Sequence, residues 1–243
     1  MKISIVTAVL NNRKEIEETM LSVLDQDYPD IEYIVIDGAS TDGTVEVVKR
    51  YADRLAFFAS EKDSGIYQAM NRGIAHATGD VIGIINSGDR YYPGAFGRVA
   101  AALSGRDLDN VIFWGDVMYE HLGRVRGFRP RKVKIGAFAP HPSMFVPRRV
   151  YERIGVYDES FRLLGDYEFM YRAVNHFRIE PVYLPELIAY YREGGISDRR
   201  IAACLRDELR VKLRYGQPAA VAYFVYFLKY LRNLRRIAAV SWQ

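Results

Sequence analysis

The 243-residue chain has one cysteine, Cys204, so no internal disulfide can form and a small secreted fold stapled by bridges is excluded. A reducing compartment is the simpler expectation. Long hydrophobic runs are also missing. The longest spans Ala219 to Leu228; a helix of that length covers ~15 Å, about half of a ~30 Å hydrocarbon core, so no span is expected there. The apolar stretch Ile3 to Leu10 is interrupted by Ser4 and Thr7 and runs into Asn11-Asn12-Arg13, which does not read as a targeting segment. Neither a G-x-G-x-x-G after the first apolar run nor a G-x-x-x-x-G-K-[ST] occurs, so the usual glycine-rich phosphate cradles are excluded. Internal repeats and low-complexity segments are lacking, and no Gly/Ser/Pro-rich linker precedes residue 194.

What is there describes an ordinary globular protein, with 49% hydrophobic and 26% charged residues, which excludes wholesale disorder. The net charge of +4 is unevenly spread. From Arg199 onward ten Lys/Arg face only Asp207 and Glu208, giving that tail +8 and leaving −4 for the body. A mildly acidic body with a basic tail points to an anionic partner for the tail alone.

The first third alternates strand and helix patterns. Ile3 to Val9, Ile31 to Ile36, Ala56 to Ala59 and Val81 to Ile85 read as buried strands. Between them, Lys14 to Asp25, a segment starting at Thr41-Asp42-Gly43, and Ile66 to His76 read as helices. That alternation predicts right-handed crossovers and a parallel α/β sheet. After residue 110 the pattern changes to a hairpin (Val111 to Tyr119 with Arg124 to Phe128), a helix over Asp166 to Val174, and two short strands, Pro181 to Leu184 and Leu187 to Tyr191. The expected architecture is therefore a sheet, parallel at first and mixed later, with helices on both faces. The expected units are a catalytic-size domain over 1–198 and a helical tail over 199–243.

Ligands of open parallel sheets bind outside the carboxyl ends of the strands. Those ends carry Thr7-Ala8-Val9, then Asp37-Gly38-Ala39-Ser40, then Glu61-Lys62-Asp63, then Asn86-Ser87-Gly88-Asp89. Acidic side chains converging there need a cation, a ribose hydroxyl or an exchangeable proton. Asp42 fits a cap for the helix it precedes, whereas Asp37 lies five residues before that helix. Asp89 is the natural anchor for a hard divalent cation, which prefers carboxylate and phosphate oxygens.

At this point six segments in order resemble a known family: SIVTAVLNN at 4–12, QDYPDIEYIVIDGASTDGT at 26–44, SEKDSGIYQAMNRGIAHATGDVIGIINSGDRY at 60–91, HPSMFVPRRVYERIGVYDESF at 141–161, GDYEFMYR at 165–172 and YREGGIS at 191–197. Together they resemble the family 2 inverting glycosyltransferases of the GT-A fold, over roughly residues 1 to 200, and especially transferases of bacterial surface-polysaccharide assembly.

The resemblance implies a nucleotide-binding GT-A sheet and a role for each matching residue. Thr7, Val9 and Asp37 match positions holding the donor's base and ribose. Lys62 and Asp63 precede a helix whose Asn71 and Arg72 match positions near the donor diphosphate. Asp89 matches the last acid of the metal motif and would hold Mn²⁺ or Mg²⁺. Relatives commonly show Asp-x-Asp-Asp where this chain reads Asn86-Ser87-Gly88-Asp89, so one carboxylate stands where two or three are usual. Asp166 matches the base that deprotonates the acceptor hydroxyl, and one carboxylate suffices for direct inversion. It also fits a helix N-cap, where the dipole would keep it ionised and lower its basicity. His141 either meets acceptor or leaving group or is a satisfied loop histidine. Arg192, beside Gly194-Gly195, belongs to a loop at the diphosphate or to a linker into the tail. Glu168, two residues past Asp166, points elsewhere on the same helix.

From Pro218 a helix is expected with Phe224, Phe227, Leu228, Leu231, Leu234 and Ala238 in one apolar stripe, flanked by Lys229, Arg232, Arg235 and Arg236 and by the rings of Tyr223, Tyr226, Tyr230 and Trp242. A bilayer interface fits this pattern, and so does packing on the domain or on a second subunit. Nucleic acid is not expected, for no binding motif is present. The expected activity is metal-dependent, inverting sugar transfer from a nucleotide diphosphate sugar to a glycan or lipid-linked hydroxyl. The expected location is the cytoplasm, with a peripheral place on the inner membrane. The thinned metal motif leaves two alternatives, a non-catalytic nucleotide-sugar or glycan binder and a membrane scaffold.

Overall fold

The computed structural model of the chain describes residues 1–125, 140–195, 199–234, 236 and 237. The expected strand residues 126–128, the segment 196–197, and Arg235, Ala238 and Trp242 of the tail lie outside the described residues.

β1 (Ile3–Val9) is buried along its whole length, as a parallel strand covered on both faces must be. β2 (Ile31–Asp37) and β4 (Val81–Ile84) flank it in parallel, and β3 (Phe57–Ser60) lies parallel beyond β2. On the other side of β4 the sheet continues through β8 (Phe145–Pro147), β6 (Val111–Tyr119), β9 (Glu180–Tyr191) and β5 (Arg90–Tyr91), while β7 (Gly123–Val125) hangs on β6. β8 runs antiparallel to β4 and β6, β9 parallel to β6, and β5 antiparallel to β9. Among the described residues the sheet has nine strands, parallel in its first half and mixed in its second, as the sequence pattern predicts.

Alternation along β1 sends Val6 and Ala8 to one face and Ile3, Ile5 and Val9 to the other. On the first face α3 (Ile66–His76) packs through Ala69, Met70 and Ile74. On the second lie α1 (Ile16–Leu24) with Ile16, Met20 and Val23, α2 (Thr44–Lys49) with Val47 and Val48, and α4 (Ala95–Leu103) with Phe96 and Val99. Contact between α3 and β1 is close: a Cβ on Gly73 would lie 2.2 Å from Val6 Cγ1. The later helices are α5 (Arg148–Ile154), α6 (Gly165–Tyr171), α7 (Ile201–Arg214) and α8 (Ala219–Arg232).

Two expectations change. The segment predicted as two short strands is the single strand β9, running through Pro185 and Glu186. Register shifts against β6 at Gly115/Asp116 and Asp116/Val117 absorb the interruption that the sequence shows. Of the tail, α7 docks on the body: Val211 is fully buried in the core that holds Phe169, and the Arg210 guanidinium lies 4.4 Å above the Phe161 ring. Arg214 pairs with Asp158 of the body, and Lys212 and Lys229 share Glu208 of the tail itself, so the body answers little of the tail's positive charge through these pairs.

The amino ends of the strands are tied by one acid. Glu32 accepts from Lys2 Nζ at 2.7 Å, Ser4 Oγ at 2.5 Å, and Thr78 Oγ1 and N at 2.6 and 2.7 Å. Burial alone would raise its pKa, but the hydrogen bonds from Lys2, Ser4 and Thr78 outweigh it and bring the carboxyl to about 2. A depressed carboxyl stabilises the fold above its unfolded value and loses that contribution as pH falls toward the folded value. Glu32→Gln is therefore expected to cost about 2–3 kcal/mol at pH 7. In urea melts across pH, that gap should shrink as pH drops from about 4.5 toward 2; a gap independent of pH would contradict this account.

Candidate active site

The Asn86-Ser87-Gly88-Asp89 loop leaves the carboxyl end of β4, next to the turn that follows β1. Thr19 of α1 clamps it, with Oγ1 donating to the Asp89 carbonyl at 2.8 Å and accepting from Gly88 N at 2.9 Å. Asn12 Nδ2 donates to the Ser87 carbonyl at 3.1 Å. Because β5 pairs antiparallel with β9, with Arg90 opposite Tyr190, the residue after β9 arrives beside Asp89. Arg192 N donates to Asp89 Oδ1 at 2.9 Å, and its guanidinium meets Glu15 at 3.1 Å. Residues about a hundred positions apart are thereby joined by sheet register.

A cavity of about 800 Å³ opens beside this loop. Its wall brings together four of the predicted residues, Asp89, His141, Asp166 and Arg192. Asp166 stands in the first turn of α6, where its Oδ1 takes the Tyr167 N–H at 2.9 Å and lies 3.1 Å from the Tyr67 hydroxyl. Gly165 makes room for that tyrosine, since a Cβ there would meet the Tyr67 ring at 2.9 Å. The expected lowering of Asp166 basicity by the helix terminus does not prevail. Burial pushes its carboxyl above the ordinary value, against the opposing effects of His141, the Tyr167 N–H and the Tyr67 hydroxyl.

His141 occupies a single 3₁₀ turn, His141–Ser143, pinned to β6 by Ser143 Oγ donating to the Gly115 carbonyl at 2.8 Å. The imidazole is buried and its Nε2 has no partner. Burial lowers its pKa, with Asp166 acting in the opposite direction, so the ring is largely neutral near pH 7. Glu168 does not line the cavity; it is buried against Arg172 at 2.8 Å and also receives the Tyr215 hydroxyl.

The other predicted residues do not line this cavity. Asp37 is buried at the end of β2, with Oδ2 accepting from Ser40 N and Ser60 Oγ and Oδ1 left without a partner. Asp63 lies against the same edge, its Oδ2 2.6 Å from where a Gly38 Cβ would be. Lys62 is exposed. Four side chains expected at the donor are engaged by the scaffold instead. Thr7 Oγ1 is hydrogen-bonded to the Tyr33 hydroxyl at 3.0 Å, and Val9 is packed in the core. Asn71 is bonded both ways to the Tyr157 backbone, at 2.9 and 3.0 Å, and Arg72 is paired with Glu61. A polar side chain near a strand end satisfies the same sequence pattern whether its partner is a ligand or the fold. Asp42 accepts from Thr44 N at 3.0 Å, but the N-cap position of α2 belongs to Gly43 and carries no side-chain cap bond, so Asp42 braces the turn before the helix instead of capping it.

The cavity also holds residues that sequence reasoning did not single out: Glu15, Tyr67, Glu159, Arg162, Arg199 and Arg200. Tyr67 lies inside a quoted motif and Arg199-Arg200 open the basic tail, but nothing in their spacing aims them at Asp166 or Asp89.

Among the described residues no three His, Cys, Asp or Glu side chains cluster closely enough to hold an ion by themselves. The loop nonetheless offers hard oxygens: the Asp89 carboxylate together with Asn86 Oδ1 and Ser87 Oγ, both buried and without partners. That set fits a divalent cation completing its shell with diphosphate oxygens and water.

Comparisons with known proteins accord with this arrangement. The sequence model described as Glycosyl transferase family 2 matches residues 4–156. An uncharacterized glycosyltransferase of Mycobacterium tuberculosis is 34% identical over 216 residues, covering 86% of this chain and 81% of the relative. A PGL/p-HBAD biosynthesis glycosyltransferase of Mycobacterium bovis is 26% identical over 219 residues, covering 88% and 86%. Among solved structures, the mannosyltransferase PcManGT from Pyrobaculum calidifontis, in complex with GDP-Man and Mn²⁺, superposes with a TM-score of 0.72 at 18% identity, over 99% of this chain and 73% of that one. S. aureus TarS in complex with UDP-GlcNAc gives 0.67 at 15% identity, over 99% and 79%; of a longer TarS chain this protein spans 41%. These structural likenesses carry the GT-A-like fold, and the sequence matches carry the family. The chain belongs to glycosyl transferase family 2 and is a glycosyltransferase.

Proposed function

We propose that the chain moves a sugar from a nucleoside diphosphate sugar to an acceptor hydroxyl, with inversion at the anomeric carbon and with Asp166 as the base. One observation carries the reading: the half-buried Asp166 carboxylate and the Asp89–Arg192 loop open onto the same cavity. Its volume of about 800 Å³ suits a ligand of this size. PcManGT with GDP-Man and TarS with UDP-GlcNAc support a nucleotide-sugar donor.

In this reading the donor diphosphate lies over the Asn86–Asp89 loop, neutralised by Arg192 and by a divalent cation held at Asp89. When bound, that cation supplies charge stabilisation of the leaving diphosphate. Asp63, half-buried beside Gly38, meets the base or ribose, with Asp37 held behind it by Ser40 and Ser60. Asp166 removes the proton of the attacking hydroxyl. Its raised pKa makes it a stronger base than an ordinary aspartate, and Tyr67 and the Tyr167 N–H fix its orientation. Inversion follows from a single displacement, for which one carboxylate is enough; Glu168 is committed to Arg172 and lies off the cavity. The neutral His141, with Nε2 unpaired, contacts the acceptor.

The acceptor is a glycan or lipid-linked glycan, and α8 brings the enzyme to it. Tyr223, Phe224, Phe227, Leu228 and Leu231 are each about half exposed on that helix, as is Leu234 just beyond its end, while Ala222 faces the protein. Arg232 and Arg236 are exposed beside them. An exposed apolar stripe flanked by arginines suits the interface of an anionic bilayer. Among the described residues no helix is long and apolar enough to cross a membrane. The expected place is peripheral, on the cytoplasmic face of the membrane. The relative named for PGL/p-HBAD biosynthesis supports a biosynthetic role of this kind.

Asp166→Asn is expected to lower kcat by about 10²–10⁴-fold while the nucleotide-dependent thermal shift persists. Because burial raises the Asp166 pKa, kcat/KM of the wild type should fall on acidification at a pH where an ordinary aspartate is still ionised. NMR of the product anomer tests inversion, and a retained configuration would sink the single-displacement reading. In thermal-shift measurements with UDP, GDP and dTDP, one nucleotide should stabilise the fold more with Mn²⁺ than with EDTA, and Asp89→Ala should erase that difference. Deleting residues 218–243 should abolish co-sedimentation with anionic vesicles; undiminished binding would remove the membrane role from the tail.

A further inference from the structure

We propose that Glu15 supplies a second carboxylate to the cation site, in place of the acidic side chain that Gly88 lacks. The inference rests on the reading that Asp89 anchors a divalent cation beneath the donor diphosphate, and it adds a ligand that the motif itself does not contain.

The first observation is one of space. A Cβ on Gly88 would lie 2.7 Å from Glu15 Oε2, so the Glu15 carboxylate fills the volume that a side chain at position 88 would enter. Gly88 has φ +108°, which glycine tolerates and a side chain does not. The loop has given up its own side chain at that point, and a carboxylate from another segment has moved in.

The second observation is that Glu15 has no structural duty on its own helix. It occupies the N-cap position of α1, yet its side chain makes no cap hydrogen bond. Asn12 Nδ2 holds it instead, donating to Glu15 Oε2 at 3.2 Å and to the Ser87 carbonyl at 3.1 Å, which fastens the carboxylate to the Asn86–Asp89 loop. Both Glu15 and Asp89 line the cavity.

A third observation concerns charge. One arginine holds both acids: Arg192 NH1 lies 3.1 Å from Glu15 Oε1, and the Arg192 N–H is bonded to Asp89 Oδ1. The guanidinium, 3.1 Å from Glu15 and 4.0 Å from Glu120, supplies positive charge on the Glu15 side, while Asp89 is met by the Arg192 backbone N–H. Beside them Asn86 Oδ1 and Ser87 Oγ are buried oxygens without partners. An ion pair as exposed as Glu15–Arg192, at 23% and 44%, contributes little to stability. Its location against Gly88 is better explained as a cation site that Arg192 fills until the cation arrives with its diphosphate. Arg192 is then released toward the phosphates.

The test is Mn²⁺ binding, followed by the EPR signal of the free ion, to the full chain saturated with whichever of UDP, GDP or dTDP stabilises it. Glu15→Gln keeps the shape and the Asn12 hydrogen bond, and should weaken Mn²⁺ binding about tenfold or more, a loss of the size seen on removing groups that support a metal. Glu18→Gln removes the same charge from α1 at a residue that pairs with Arg90 and lies off the cavity, so it should leave Mn²⁺ affinity unchanged. Equal losses in the two variants, or no loss in Glu15→Gln, would overturn the proposal while leaving Asp89 as the cation's anchor. A wild type that binds no Mn²⁺ with any of the three nucleotides would overturn both this inference and the metal-dependent reading beneath it.

Discussion

The structure hangs on β1, hydrogen-bonded along both edges and buried on both faces from Ile3 to Val9. A strand so enclosed leaves no room for charge along its length, so polar chemistry collects at its two ends. At the amino end the polar groups serve stability, with Glu32 gathering Lys2, Ser4 and Thr78. At the carboxyl end the turn after β1 meets the loop after β4, and Asn12 and Thr19 stitch the two together. Glycines set the tolerances: Gly73 lets α3 lie against Val6, and Gly165 lets Tyr67 reach Asp166. A methyl group at either position would move an element that carries the site.

Within the site, two opposing electrostatic effects act on Asp166. Its position in the first turn of α6 favours the ionised form, whereas burial favours the neutral one, and burial prevails. The outcome suits a base, which must hold a proton more firmly than an exposed carboxylate does. His141 is governed by the same burial with the opposite consequence, a ring that stays neutral. One low-dielectric wall thus produces a basic carboxylate and an uncharged imidazole side by side.

Much of this was legible in the chain. Apolar runs bounded by turn residues mark β1 to β4, and the 3.6-residue period marks α1 and α3. The motifs named Asp89 and Asp166. Other positions show where reading from sequence ends. β9 is a single strand although Pro185 and Glu186 divide its pattern, because bulging against β6 tolerates the break. Thr7, Asn71 and Arg72 satisfy the motif yet spend their polar groups on Tyr33, Tyr157 and Glu61. Glu15 matches nothing in the motif and still faces it.

Periodicity and turn chemistry act between neighbours along the chain, and the alternating elements, the sheet direction and the chemical character of the strand ends follow from them without any long-range contact. Tertiary structure alone decided which polar groups are left over for a ligand. That outcome depends on contacts between residues far apart, as when the pairing of β5 with β9 carries Arg192 to Asp89, and on burial, which sets the sign of each pKa shift and exists only once the chain has closed around its core.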